Sequence, residues 1–414
     1  MASSGRRALT QPTPARSRRA RCSALVLGAL TLVLVVRLTG ETAPPLRPRV
    51  VLPAYVRIAG SAPVLAWPRE GEAAVTLQAA VGAAASPAAQ APVPIASVAK
   101  VMTAYVTLLE HPLGTSGPGF TLRVTPADVA EESRREELDQ SVVPVRAGEL
   151  ISERQALQAL LLPSANNIAW LLAAHEGGVG PFLARMNATA RRLGMSATTY
   201  TDPSGFEVTT MSTALDQLKL ARVAMGVPAF AALVDEHSAR LPVAGRVLNY
   251  NALVGHDGYV GVKTGSDTAA GGCLMFAKRI VRADRPLMVL GVVLGQRDGP
   301  LVEAALASAA RLGDSAAAAV HMQTALAGGT RVLEASAEDG RRTSARTAAA
   351  LRVPSWPGLG LRLSISVGAP GSHVRSGERM GTVTLDASGR ASTAALASRA
   401  VGGPSLGWRL SHLF

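Results

Sequence analysis

The sequence predicts an α+β fold: an antiparallel sheet packed with helices, followed by a small C-terminal β domain. Three observations carry that prediction. Helix-type patterns fill most of residues 97–225; the period then changes to three adjacent short strands at 258–265, 273–281 and 287–294. Beyond residue 328 the composition turns to short Thr, Val, Leu and Arg alternations split by Gly, Pro, Asp and Ser. Strands that follow one another without a helix between them pair antiparallel, and helices clustered ahead of them bury an apolar stripe on the sheet they form.

The N-terminus reads as a targeting feature. Residues 1–49 hold nine arginines against one acid, Glu41, and so account for most of the net charge of +13. Residues 1–21 are the basic segment, expected to face the cytoplasm. An uncharged apolar run follows, and 22–38 is expected to act as a signal anchor or a signal peptide. Its first fifteen residues, 22–36, rise about 22 Å as a helix, short of a comfortable bilayer span. Everything beyond is expected to be exported, either held at the cell membrane or released to the cell wall. Residues 39–68, rich in proline, read as a linker; 69–320 form the main domain and 328–414 the small β-rich one.

Composition also excludes. Aromatic residues make up 4% of the chain, which leaves no stacking platform for single strands, and nucleic acid is not an expected partner. Cys22 and Cys273 fall on opposite sides of the export boundary, so no intrachain disulfide is expected. No His or Cys spacing fits a metal site, and no cofactor is implied. The basic residues are almost all arginine; the four lysines are Lys100, Lys219, Lys263 and Lys278. Arginine solvates and pairs as well as lysine but cannot give up its proton, so a lysine kept in such a chain is a candidate for chemistry.

Within the main domain, residues 73–91 are alanine-rich and fit a strand pair or a loop equally. Residues 97–110 read as a buried helix ended by His111-Pro112. Ser152-Glu153-Arg154-Gln155 is a capping-box pattern opening a helix that Pro163 stops. A second helix follows Ser164-Ala165-Asn166-Asn167 and ends at Gly177-Gly178; a third starts after Pro181 and ends near Gly194. Thr201-Asp202-Pro203-Ser204-Gly205-Phe206 is a turn cluster, Ser212 is the expected cap of the next helix, and residues 301–312 return to helix.

Three stretches carry compatible chemistry. Ser97 and Lys100 stand three apart at the head of an apolar helical run, so amine and hydroxyl share a face beside the unpaired backbone N–H groups of a first turn. Ser164 and Asn166 flank a proline-marked break between helices, where side chains project into a cleft. Lys263-Thr264-Gly265 ends a strand, and Gly265 allows close approach of backbone to a ligand. Each has a bland reading alone: Ser97 and Ser164 as caps, Lys263 as an edge-strand charge. Together, in this order, they point to acyl transfer.

Ordered Ser-x-x-Lys, Ser-x-Asn and Lys-Thr-Gly motifs are the signature of penicillin-recognising serine enzymes, and within them residues 94–296 resemble the D-alanyl-D-alanine carboxypeptidase family, peptidase family S11. The turn Asp202 to Phe206, Ser212-Thr213-Ala214-Leu215-Asp216 and Gly261-Val262 before Lys263 extend the resemblance. It implies a β-lactamase/transpeptidase-like domain at 69–320 that removes the terminal D-Ala from peptidoglycan stem peptides and is acylated by β-lactam antibiotics. It implies Ser97 as nucleophile, Lys100 as base, Ser164 as proton relay to the departing D-Ala and Asn166 as holder of the substrate amide. Lys263 and Thr264 would take the terminal carboxylate, with the backbone N–H groups of Ser97 and Ser266 as the oxyanion hole. Asn167 departs from the family, which commonly has an acid there. The alternatives are a β-lactamase or esterase of the same superfamily, or a non-catalytic cell-wall binding protein.

Overall fold

The computed structural model describes residues 23–33, 35, 43–368, 370–386 and 391–412. The basic segment at 1–21 lies outside the described residues, as do Cys22 and most of 34–42. Residues Ser23–Val33 form a short apolar helix, and no helix among the described residues is long and apolar enough to cross a membrane on its own.

The main domain is organised on a five-stranded antiparallel sheet, in the order Tyr259–Asp267, Gly271–Arg282, Arg285–Gln296, Glu72–Leu77, Ala84–Ser86. The alanine-rich stretch after residue 72 therefore supplies two strands. Its alternation was hidden because the sheet is covered on both faces: every residue of Glu72–Leu77 is buried, and a strand buried on both sides reads as one apolar run. On one face Ala74, Met275, Val292 and Leu294 meet the helical layer. On the other Ala73, Val75, Phe276 and Val293 meet the helix Leu301–Ala319, which is longer than the sequence indicated because its apolar stripe runs on through Ala316 and Ala317.

The helical layer holds Lys100–Glu110, Pro126–Glu136, Glu153–Leu161, Asn166–His175, Val179–Arg192, Ala214–Ala224 and Pro228–Val234. Ser152 closes the expected capping box with Gln155. Two expectations are corrected. The helix placed after Pro181 starts at Val179, with Gly178 at its N-cap. The cap of Ala214–Ala224 is Thr213, whose hydroxyl accepts from Asp216 N at 3.1 Å; Ser212 instead lies in a short strand.

The second sheet contains seven antiparallel strands, mostly from the C-terminal region. Its two edges are Arg47–Val50 and Tyr55–Arg57, from the segment read as a linker. Leu46, Ile58 and Leu65 are buried in the same core as Trp356, so residues 46–65 are part of this fold and not a free tether. Pro48 is tolerated because an edge strand needs only one side of its ladder.

Candidate active site

Ser97 lies in a single 3-10 turn, Ala96–Ala99, that runs directly into the helix Lys100–Glu110. The sequence placed both residues in one α-helix; the tighter turn brings positions three apart closer to eclipsed. Lys100 Nζ donates to Ser97 Oγ at 2.7 Å and to the Ser204 carbonyl at 2.9 Å. Ala96, just before the nucleophile candidate, holds a left-handed φ of 45°, a conformation costly for a residue with a side chain and kept only where its surroundings impose it.

The imposing group is the turn 202–206. Asp202 accepts from Ser204 N, Gly205 N, Phe206 N and the hydroxyls of Ser204 and Thr210. This fixes the Ser204 carbonyl that receives Lys100, and the neighbouring Pro203 carbonyl accepts from Thr103 Oγ1 at 2.5 Å. Gly205 lies so close to the 3-10 turn that a Cβ on it would stand 1.9 Å from the Ala96 oxygen. Sequence reasoning saw a turn here; its function as the second anchor of Lys100 follows only from the fold.

Lys263-Thr264-Gly265 lies on the edge strand of the sheet. A Cβ on Gly265 would meet Ser97 N at 2.9 Å and Val98 N at 3.0 Å, so the strand passes directly over the nucleophile's backbone. The Val98 N–H is taken by the Ile95 carbonyl, whereas Ser97 N–H makes no hydrogen bond to a described residue. Lys263 is buried, with Nζ 2.9 Å from the Thr264 carbonyl oxygen and 3.4 Å from its hydroxyl. Ser266 is exposed at the strand's end.

Both amines are held below the ordinary lysine range. Burial lowers Lys263 to about 7. Lys100 is pushed well down, first by burial and then by the positive Lys263, with a smaller push from Arg135 and an opposing pull from Asp202. Two amines in one dry site do not both keep a proton at neutral pH. Lys100 is the more strongly lowered of the two. The other two lysines are ion-paired elsewhere, Lys219 to Asp216 and Lys278 to Asp314.

Ser164 occupies the tight turn ahead of the helix Asn166–His175, at a left-handed φ of 67°. It is buried, and its hydroxyl makes no hydrogen bond to a described residue. It therefore makes no direct hydrogen bond to Ser97 or Lys100. Asn166 Nδ2 donates to Gln140 Oε1 at 2.7 Å. Asn167, the departure noted above, clamps the preceding segment through both the N–H and the carbonyl of Val143. No motif marks Arg135 or Gln140, which lie at and just past the end of the unanticipated helix Pro126–Glu136.

A sheet with a helical layer carrying a Ser-x-x-Lys pair, and an edge strand passing over it, defines the class: the fold of DD-transpeptidases. The Streptomyces K15 DD-transpeptidase superposes with a TM-score of 0.52 at 25% identity, covering 62% of this chain and 98% of its own. An evolved penicillin-binding protein homolog from Mycobacterium tuberculosis gives 0.51 at 30%, covering 63% and 95%. The D-alanyl-D-alanine carboxypeptidase model, Peptidase_S11, matches residues 70–297, and the chain belongs to that family. Among curated relatives, D-alanyl-D-alanine carboxypeptidase DacB2 of Mycobacterium tuberculosis is 35% identical over 43% of this chain and 59% of its own length. A D-alanyl-D-alanine endopeptidase of Pseudomonas aeruginosa is 34% identical over 48% and 63%. The match thus spans about three fifths of the length of these relatives.

Proposed function

We propose that this protein is a serine-type D-Ala-D-Ala carboxypeptidase acting on peptidoglycan stem peptides, and that penicillins acylate it at Ser97. The observation that carries the reading is the 2.7 Å contact of Ser97 Oγ with a fully buried Lys100 whose amine is driven toward its neutral form. A neutral amine at that distance is a general base for the hydroxyl proton. Ser97 Oγ attacks the carbonyl of the D-Ala-D-Ala bond, and Lys100 takes the proton. The unpaired Ser97 N–H, with that of Ser266, receives the developing oxyanion. Ser164 passes a proton to the departing D-Ala nitrogen; Asn166 holds the peptide amide. Lys263, charged below about pH 7, with Thr264 takes the terminal carboxylate beside Gly265. Water then hydrolyses the acyl-enzyme.

A β-lactamase turnover needs a carboxylate that activates the deacylating water. Glu176 is engaged with His111 and Arg185 at the far end of the helix that begins at Asn166, and Glu207 is exposed. That distribution favours the carboxypeptidase. The protein would act outside the cytoplasm, held at the membrane by the apolar N-terminal segment that includes the helix Ser23–Val33. Labelling of the full chain by a fluorescent penicillin, together with D-Ala release from a pentapeptide, tests the reading: both are expected for the unaltered protein and neither for Ser97→Ala. Undiminished labelling of Ser97→Ala would overturn the nucleophile assignment, and rapid penicillin turnover would favour the β-lactamase.

A further inference from the structure

Arg135 is a buried cation without a role in the mechanism above. It is 2% exposed, lies 4.3 Å over the Trp170 ring and is ion-paired with Glu131. Its Nη1 also donates to Gln140 Oε1 at 2.9 Å. A guanidinium has donors only, so the Gln140 atom facing it is the amide oxygen. That same oxygen accepts from Asn166 at 2.7 Å, so the Asn166 atom facing Gln140 is the amide nitrogen. The polarity of one amide thereby sets the next. Asn166 Oδ1 is turned away from Gln140, and it is a buried acceptor with no hydrogen-bond partner. Buried acceptors of native proteins are nearly always filled, so the open Asn166 oxygen has room for a donor from outside the relay.

We propose that Arg135 is a positioning residue of the acylation site, which through Gln140 fixes the direction of the Asn166 amide and leaves its oxygen open to a donor that forms or enters during acylation. The inference rests on the acyl-transfer reading. The relay spans three elements, so the direction of the Asn166 amide is set by a side chain from the end of the helix Pro126–Glu136. Arg135 acts in a second way that agrees with the first: its charge, with that of Lys263 and against that of Asp202, opposes protonation of Lys100. Burial and these charges keep Lys100 neutral at rest. An open acceptor that is filled only once charge has moved favours the transition state over the resting enzyme.

The test is a double-mutant cycle on the rate of acylation of the full chain by a fluorescent penicillin. Measured on the alkaline plateau, where Lys100 is neutral in every variant and the charge of Arg135 no longer bears on it, Arg135→Met and Asn166→Ala are each expected to slow acylation, by roughly 10- to 100-fold, and the double variant to be no slower than Asn166→Ala alone. Multiplying effects in the double variant would overturn the proposal, because Arg135 would then act independently of Asn166. If Arg135→Met does not fold, Gln140→Met breaks the same relay at its middle and replaces it in the cycle. Gln140→Glu, which keeps an acceptor for both neighbours, is expected to recover most of the rate lost in Gln140→Met; equal rates for the two would also overturn it. A structural contribution from Arg135 would not move the pH profile, whereas loss of its charge is expected to shift the acid limb of acylation to higher pH. Failure of the unaltered protein to react with penicillin would refute the function itself. Normal reaction with an additive cycle refutes only the relay.

Discussion

Replacing Lys263 by methionine separates what this residue does for the fold from what it does for the substrate. The side chain is 1% exposed and makes its contacts with the neighbouring Thr264 carbonyl and hydroxyl. Burial lowers its amine to about 7 from an ordinary 10.5. The folded pKa is below the unfolded one, so between those two values the unfolded chain binds a proton that the folded chain lacks, and stability rises with pH. The slope for one proton is about 1.4 kcal/mol per pH unit; the full penalty is present below about pH 7 and gone above the unfolded value. Methionine is close in length, apolar and adaptable. Lys263→Met is therefore expected to stabilise the main domain by roughly 4 kcal/mol at pH 7 and by about 2 kcal/mol at pH 9. These are upper figures, since the Thr264 carbonyl loses its Nζ partner in the same variant. Urea unfolding followed by helical circular dichroism reads the transition of the domain that holds most of the helix. D-Ala release should collapse in the same variant, because methionine cannot receive a carboxylate. A stability gain that is equal at pH 7 and pH 9, or a loss at both, would refute the argument that Lys263 is stored in the fold at the expense of its proton.

Three further substitutions follow from the same geometry. Lys100→Arg should cut the rate of penicillin acylation as deeply as Lys100→Ala, by about 10²- to 10⁴-fold, because arginine keeps the charge and cannot accept the Ser97 proton; retention of a tenth of the rate would show that Lys100 acts only as a charge. In the unaltered protein that rate should climb as pH rises through the lowered pKa of Lys100, whose amine must be neutral to work. Gly205→Ala, at a φ of +81° with its new Cβ aimed at the Ala96 oxygen, should destabilise the domain by about 1–3 kcal/mol and slow acylation, measured by melting midpoint and labelling rate. Asp202→Ala strips the acceptor from five donors around the turn. At about 1–3 kcal/mol for a buried group left unpaired, it should lower the yield of folded protein sharply, and unchanged yield and melting would refute the role given to the turn.

The parts of this site legible in the sequence were local ones. Ser97 and Lys100 are three residues apart, and any tight helical turn joins them; the capping box at Ser152 and Gln155 is likewise a statement about four consecutive residues. What could not be read depends on contacts between distant segments. Lys100 donates to Ser204, more than a hundred positions on. Asn166 takes its direction from Gln140 and Arg135 on the strength of an amide and a guanidinium that nothing in their neighbours' spacing marks out. Arg47–Val50 pairs with Arg331–Ser336, more than half the chain away, and its proline disguised it as a linker although an edge strand accommodates one.

The scarcity of lysine shows where a global property can stand in for such contacts. Of four lysines, Lys100 and Lys263 meet in one dry site, and Lys219 and Lys278 make ion pairs with Asp216 and Asp314. Arginine offers more donors than lysine for an ion pair, yet Lys278 also lies 4.3 Å over the Tyr259 ring, where a compact ammonium fits between ring and carboxylate. Composition therefore selects for positions where an arginine is too large or too firmly charged, and only the second reason concerns catalysis. The neighbours divide the two cases: Lys219 and Lys278 each face a carboxylate, while Lys100 has Lys263 and Arg135 near it and the Asp202 charge is spent on its own turn. A lysine count brings the search to four residues, and the sheet passing over Ser97 narrows it to the buried pair Lys100 and Lys263.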